Sequence, residues 1–152
     1  MSNCKDMWFK CEIIIHSQVT LKEKMQSICN FLGRQMPAYD WVGFYLSDVK
    51  NKKLHLGPFY GEPTEHTSIS YGKGVCGQAA EAQKTFVIDD VAEEKNCIAC
   101  SIHVKSEIVV PIIKNQIVVG QIDIDSHTPA AFKKEDQQLL EKICRELAIY
   151  IE

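Results

Sequence analysis

Two apolar segments in the last third of the sequence lie close enough along the chain to pair with each other. Residues 108–113 and 117–125 are rich in Ile and Val, and only residues 114–116 separate them. A connection this short predicts an antiparallel β-hairpin. Pro111 lies inside the first segment and has no backbone N–H, so we expect it at a sheet edge or at a β-bulge.

Helical patterns flank the strands. Apolar residues recur at three- and four-residue spacing over 21–36, which is typical of an amphipathic helix. Thr20 and Glu23 have the spacing of a capping box at its start. The same spacing predicts a helix from about residue 134 to the end of the sequence, and we expect a short leading helix over 7–15.

Between these helices the apolar pattern changes to alternation, which first appears over 41–46. Further elements are expected as strands over 54–60, 67–70 and 85–88, a helix over 75–82 and a polar loop over 89–105. Short connections make the sheet mainly antiparallel, and the terminal helices must cover one of its faces. The sequence therefore predicts an α+β fold, with 1–152 as a single domain.

Charge and hydropathy exclude two classes of partner. The chain has 152 residues, a formal net charge of −3 and a pI of about 6.0, so it lacks the basic surplus of a nucleic-acid-binding surface. No apolar run approaches the roughly 20 residues that span a bilayer. Charged residues interrupt the first 15 positions, so no secretion signal is predicted. We expect a cytoplasmic protein that binds neither nucleic acid nor membrane.

Seven cysteines are the unusual feature of the composition, and an odd number excludes a fully paired disulfide framework. Cys97 and Cys100 form a CxxC motif, which indicates either half of a zinc site or a redox pair, unless both are incidental loop residues. A zinc site would need further ligands, for which Cys76, His66 and His103 are candidates.

Cys76 follows a glycine-rich turn at the start of the helix expected over 75–82. A thiol in that position gains thiolate character from the helix dipole, so we expect a reactive cysteine there. The glycine-rich turn lacks the spacing of a phosphate-binding loop. No chemistry is predicted for the remaining four cysteines, which are Cys4, Cys11, Cys29 and Cys144.

Two carboxylates stand two residues apart in the second hairpin strand. Asp123 and Asp125 therefore point to the same side of the sheet, and Glu107 begins the partner strand at the same end of the hairpin. One interpretation is a solvated strand face or strand end. The other is a pocket for a cation, either an ammonium group or a metal ion, in which crowded carboxylates raise at least one pKa and supply a proton donor.

Two aromatic residues flank a glycine in the first strand. Trp41 and Tyr45 share the face opposite the apolar one, with Gly43 between them. They are either ordinary packed aromatics or the walls of a slot. A slot beside the carboxylates would suit a small organic cation.

Six motifs in order resemble one family. They are Trp41-Val-Gly-Phe-Tyr-Leu46, Leu56-Gly-Pro-Phe-Tyr-Gly61, Gly72-Lys-Gly-Val-Cys-Gly77, Ile98-Ala-Cys100, Ser106-Glu-Ile-Val-Val-Pro111 and Asp123-Ile-Asp-Ser126. Together they resemble the free methionine-(R)-sulfoxide reductases, which are stand-alone GAF domains. The similarity extends over about 39–136. It implies a central six-stranded antiparallel sheet with helices on one face and a ligand pocket on the other.

The resemblance also implies an activity, which is reduction of free methionine-(R)-sulfoxide and not of the residue within a protein. By motif position, Cys100 matches the nucleophile and Cys76 matches a recycling cysteine. Glu107, Asp123 and Asp125 match the carboxylates that hold the substrate. Trp41 and Tyr45 match the aromatics of the pocket. No metal and no cofactor is implied.

The sequence departs from the family pattern around its thiols. His66 stands where the family normally has another cysteine, in a segment over 62–67 that looks one residue longer. Ser101 replaces the usual Asp after the nucleophile, and Cys97 replaces a frequent His. A usual recycling thiol is therefore missing and a new one is present, which affects the recycling route more than the first chemical step.

The resulting hypothesis is sulfoxide reduction through a sulfenic acid on Cys100. Cys76 or Cys97 would then form a disulfide with it, and a thioredoxin-like dithiol would reduce that disulfide. Two alternatives remain: a GAF sensor module that binds a small ligand without turnover, and a zinc site at Cys76, Cys97 and Cys100 with a histidine. The sequence does not distinguish a monomer from a homodimer.

Overall fold

The computed structural model describes residues 4–94 and 103–152. The described helices are α1 (Cys4–Ile15), α2 (Leu21–Gln35), α3 (Gly74–Ala82) and α4 (Lys134–Leu147), with 3₁₀ turns at Val91–Glu93 and Ala148–Tyr150. The Thr20 hydroxyl accepts the Glu23 backbone N–H at 3.2 Å, which confirms the predicted cap of α2. The leading helix begins at Cys4, three residues before the predicted start.

Six described strands form one antiparallel sheet. They are β1 (Trp41–Asp48), β2 (Lys53–Tyr60), β3 (Ser68–Ser70), β4 (Phe86–Ile88), β5 (Ser106–Lys114) and β6 (Ile117–Ser126). Their order across the sheet is β3-β2-β1-β6-β5-β4. The predicted hairpin is β5–β6, and its turn residues Asn115 and Gln116 both have positive φ, as a two-residue type I′ turn requires.

Pro111 lies in β5, which is an inner strand, because β4 pairs with it on the side away from β6. However, β4 pairs only with Glu107, Ile108 and Val109. Among the described residues, no strand pairs with this side of β5 beyond Val109, so Pro111 lies next to an unpaired stretch of that side. The register then shifts between Ile112 and Ile113. Pro111 therefore lies in an inner strand, at a position where the described strands pair with only one side of it.

The two faces of the sheet carry separate apolar clusters. The larger cluster joins α1, α2 and α4 to one face, where Val42, Phe44, Ile108, Ile122 and Ile124 are almost completely buried. This confirms that the terminal helices cover one face. The smaller cluster lies on the other face, where α3 packs through Val75, Ala79 and Ala80 against Trp41, Tyr45 and Val109. This second face is the one that carries the aspartates.

The five cysteines within the described residues are free thiols. Cys11, Cys29 and Cys144 are buried in the larger cluster, and Cys4 packs against it. Burial raises the pKa of Cys11 to about 12. These thiols are therefore apolar core residues, in agreement with the sequence analysis.

Among residues 4–94 and 103–152, no helix has the length and hydropathy that a bilayer crossing requires.

Candidate active site

Three strands place a row of functional groups side by side. Asp125 of β6 pairs with Trp41 of β1 on one side and with Glu107 of β5 on the other. The next row on the same face contains Asp123, which lies between Gly43 and Val109. The sequence analysis predicted that Glu107 and the two aspartates meet at one end of the hairpin, and the register confirms it.

These carboxyl groups are not a solvated strand face. The exposed fractions are 6% for Glu107, 1% for Asp123 and 2% for Asp125. Burying charged groups this deeply is unfavourable unless a proton, a hydrogen bond or a cation compensates. The interpretation of the two aspartates as a solvated strand face is therefore wrong, and the pocket interpretation gains support.

Asp123 carries the clearest electrostatic perturbation of the site. Burial raises the pKa of its carboxyl group above the ordinary range, while hydrogen bonds from Glu107 and Cys76 and the nearby His66 oppose this rise. A hydrogen bond between two carboxyl groups requires a proton on one of them. The raised pKa of Asp123 favours its protonated form, so this carboxyl group is a candidate proton donor.

Cys76 is the third residue of α3, close to the helix start that the sequence predicted. Burial nevertheless holds the pKa of its thiol well above the usual range, and the negative charges of Asp123, Glu107 and Asp125 raise it further. The expectation of thiolate character from the helix dipole is wrong. Desolvation and three adjacent carboxyl groups outweigh a dipole effect of about 0.3–1 kcal/mol.

Trp41 and Tyr45 lie on the predicted face but do not enclose an open slot. A Cβ atom added to Gly43 would lie 2.2 Å from Cη2 of Trp41, so the indole itself occupies the space above the glycine. The indole stacks on Phe59, with ring centroids 5.7 Å apart, and its Nε1 donates to the Glu62 carbonyl at 2.9 Å. The interpretation of these aromatics as the walls of a slot is therefore wrong, because Gly43 makes room for Trp41 and not for a ligand.

Tyr45 connects the sheet to the segment that precedes β3. Its hydroxyl donates to the His66 carbonyl at 2.8 Å, and the His66 amide donates to the Thr64 hydroxyl at 3.0 Å. The His66 imidazole is near enough to influence Asp123. His66, which the sequence offered as a candidate zinc ligand and as a departure from a family pattern, is therefore part of the site.

Two cavities divide the predicted residues between them. Tyr45, Cys76, Glu107 and Asp123 line the smaller one together with His66, and its volume of about 10 Å³ admits roughly one water molecule. The larger cavity has a volume of about 460 Å³, which is within the range of small-ligand pockets. Trp41 and Asp125 line this larger cavity.

The larger cavity also contains residues that sequence reasoning missed. Asp40, His103 and His127 line it, the two imidazole rings lie 5.9 Å apart, and the Asp40 carboxylate accepts the His127 backbone N–H at 2.7 Å. The only signal in the sequence was proximity, because Asp40 precedes Trp41 and His127 closely follows Asp125. His103 was noted solely as a potential zinc ligand.

Gln121 is a second omission. It lies two residues before Asp123 on the same face of β6 and is completely buried. Both of its side-chain amide atoms lack a hydrogen-bond partner among the described residues. A buried amide of this kind is unexpected in a strand core, and it extends the polar character of the site below Asp123.

Cys97 and Cys100 lie outside the described residues. His103 is the first described residue after them, and it lines the larger cavity with Val104. The described part of the site thus contains one thiol, three buried carboxyl groups and the aromatic pair.

Residues 18–152 match the GAF domain family. GAF domain-containing protein A of Dictyostelium discoideum is 43% identical over 105 residues, which are 69% of this chain and 65% of that protein. The free methionine-R-sulfoxide reductase of Saccharomyces cerevisiae is 42% identical over 108 residues, 70% of this chain and 59% of the yeast protein. The chain thus spans somewhat less than two thirds of these two relatives.

A solved structure gives a more complete match. The free methionine-R-sulfoxide reductase of Neisseria meningitidis, determined in complex with its substrate, superimposes with a TM-score of 0.91 at 31% identity, covering 97% of this chain and 87% of that chain. The chain therefore belongs to the GAF domain family and, within it, to the free methionine-R-sulfoxide reductase family.

Proposed function

We propose that this protein reduces free L-methionine-(R)-sulfoxide to L-methionine, with Cys100 as the nucleophile. The observation that carries the proposal is the buried acidic row of Asp125 and Glu107 beside Trp41, with Asp123, whose pKa is raised by burial, next to it. The yeast and Neisseria relatives bear the name of this activity, which supports the assignment.

The larger cavity is the proposed substrate site, because the smaller one admits only about a water molecule. Asp125, which lines this cavity, would bind the ammonium group of the free amino acid together with its strand partner Glu107, which lines the smaller cavity, and Trp41 would contact the apolar side chain. A cation offsets the unfavourable burial of the carboxylates. A methionine sulfoxide residue within a chain has no ammonium group, so this arrangement favours the free amino acid.

The pair of Asp123 and Glu107 is the proposed proton donor. Protonation of the sulfoxide oxygen makes the substrate sulfur electrophilic, and the thiolate of Cys100 attacks that sulfur. The oxygen and its proton then transfer to Cys100, which becomes a sulfenic acid, and methionine leaves as a thioether. Cys100 loses two electrons and the methionine sulfur gains them.

Chain connectivity supports Cys100 in this role. It precedes His103 by three residues, and three residues of chain span at most about 11 Å. His103 lines the larger cavity, so the chain length allows the thiol to reach a substrate bound there. Cys4, Cys11, Cys29 and Cys144 belong to the opposite face of the sheet.

Recycling would require a second thiol. Condensation of the sulfenic acid with Cys76 or Cys97 gives a disulfide and water, and a thioredoxin-like dithiol would restore both thiols by exchange. Cys76 is buried and protonated, so a neighbouring carboxylate would have to accept its proton first. Such recycling requires a reducing compartment, which is consistent with a cytoplasmic protein acting as one GAF domain.

The test is turnover of free methionine-(R)-sulfoxide by Cys100→Ser. We expect at least a thousandfold loss, whereas Cys4→Ser, a thiol on the helix side of the sheet, should retain full activity. Mass spectrometry of the substrate-oxidised protein would then locate the disulfide to Cys76 or to Cys97. Undiminished turnover by Cys100→Ser would exclude the mechanism, and tight binding without turnover by the unmodified protein would favour a sensor module.

A further inference from the structure

The smaller cavity has a donor set of its own. Cys76 from α3, Glu107 from β5 and Asp123 from β6 each offer one ligand atom, and these three atoms all lie within 4.8 Å of one another. All three residues are at least nine-tenths buried. Three different elements of the fold therefore direct their functional groups at one point.

One atom of this set still lacks a partner. Asp123 Oδ1 is buried and accepts no hydrogen bond from the described residues. A buried carboxylate oxygen without a donor is unfavourable, and a bound cation would satisfy it. The cavity volume of about 10 Å³ is the size of a single water molecule or a single ion, and is far too small for an amino acid.

The chemistry of the donors restricts the ion. Mg²⁺ and Ca²⁺ prefer ligand sets made of oxygen alone, whereas a thiolate beside carboxylates and an imidazole suits Zn²⁺. His66 lines the same cavity but lies outside the group of atoms within 4.8 Å, so it would become the fourth donor only after its side chain turns towards the ion. Lys73 also lines the cavity, but it is an exposed residue at the start of α3.

We propose that Cys76, Glu107 and Asp123, with His66 as the fourth ligand, form a buried binding site for one Zn²⁺ ion. Binding requires the Cys76 thiol and both carboxyl groups to be deprotonated. The ion thus removes the proposed proton donor and engages a candidate recycling thiol, so Zn²⁺ inhibits the reductase. Zinc binding stands independently of the proposed reductase activity, whereas inhibition depends on it.

Cobalt substitution tests the site without an activity measurement. The reduced protein is titrated with Co²⁺, whose bond to a thiolate gives a near-ultraviolet charge-transfer band and whose tetrahedral coordination gives visible bands. We expect saturation at one equivalent and displacement of both bands by one equivalent of Zn²⁺. Cys76→Ser should abolish the charge-transfer band, and Glu107→Gln should weaken binding at least tenfold.

Two control variants separate this site from the CxxC motif. Cys4→Ser and the double variant Cys97→Ser/Cys100→Ser should both retain the charge-transfer band. Its persistence in Cys76→Ser, or its loss in the double variant, would overturn the proposal. Glu107→Gln gives an independent answer if Cys76→Ser folds poorly, and unchanged affinity in that variant would also overturn it. Turnover of the sulfoxide by a protein that binds no Zn²⁺ would refute the zinc site but not the proposed reductase activity.

Discussion

The substitution Gly43→Ala tests how the site is built, because the added methyl group would lie 2.2 Å from the Trp41 indole. The ring must move, which breaks its Nε1 hydrogen bond to Glu62 and its stacking on Phe59. The hydrogen bond contributes about 1 kcal/mol, and the aromatic pair contributes about 1 kcal/mol. Partial exposure of the indole adds about 1 kcal/mol.

The better strand propensity of alanine offsets up to about 1 kcal/mol of this loss. We therefore expect Gly43→Ala to lower the free energy of unfolding by about 2 kcal/mol. Urea denaturation followed by far-ultraviolet circular dichroism measures this change without relying on tryptophan fluorescence.

A double-mutant cycle with Trp41→Phe supplies the control. The atoms nearest to Gly43 belong to the six-membered ring of the indole, and the shorter side chain of phenylalanine does not reach as far as that ring. In the Trp41→Phe background, Gly43→Ala should therefore cost less than about 0.5 kcal/mol. An equal cost in both backgrounds would refute the argument that Gly43 exists to accommodate the indole.

Three further predictions concern the buried groups. Because the pKa of Asp123 is raised in the folded state, its contribution to the free energy of unfolding is fully present below about pH 3.9 and is lost as the pH rises through the folded-state pKa. Asp123→Asn should therefore remove this pH dependence from the free energy of unfolding measured in urea. An unchanged pH profile would contradict the burial argument. Cys76 of the native protein should resist alkylation by iodoacetamide at pH 7.5, and it should react faster in Asp123→Asn, because one of the groups that raise its pKa is removed. Peptide mass spectrometry measures the alkylation. Rapid alkylation of the unmodified protein would mean that the reactivity of this thiol is not lowered. Tyr39→Phe removes the hydroxyl that donates to the buried Asp136, so it should cost about 2 kcal/mol in urea denaturation, and a change below about 0.5 kcal/mol would show that this hydrogen bond is energetically minor.

The sequence predicted the elements of the fold well because each has a local signal. Helices α2 and α4 follow apolar stripes at helical spacing, and the β5–β6 hairpin follows two apolar segments around a short turn. The convergence of Glu107 with the two aspartates was also predictable, since a two-residue period and a hairpin register determine it.

Long-range packing was not predictable in the same way. The position of the Trp41 indole over Gly43 depends on Phe59 and Glu62, which belong to other parts of the chain. Likewise, the suppressed thiol of Cys76 reflects burial against β5 and β6, whereas the sequence showed only its place at a helix start. The approach of His103 to His127 joins segments with no shared local pattern.

The proposed substrate selectivity depends on recognition of a free amino acid by buried carboxyl groups. A thioredoxin-coupled assay that compares free methionine-(R)-sulfoxide, free methionine-(S)-sulfoxide and a peptide-bound methionine-(R)-sulfoxide tests this claim most directly. We expect turnover of the free R epimer and at least a hundredfold lower kcat/KM for the other two. Comparable turnover of the peptide-bound sulfoxide, or none of the free R epimer, would contradict the account.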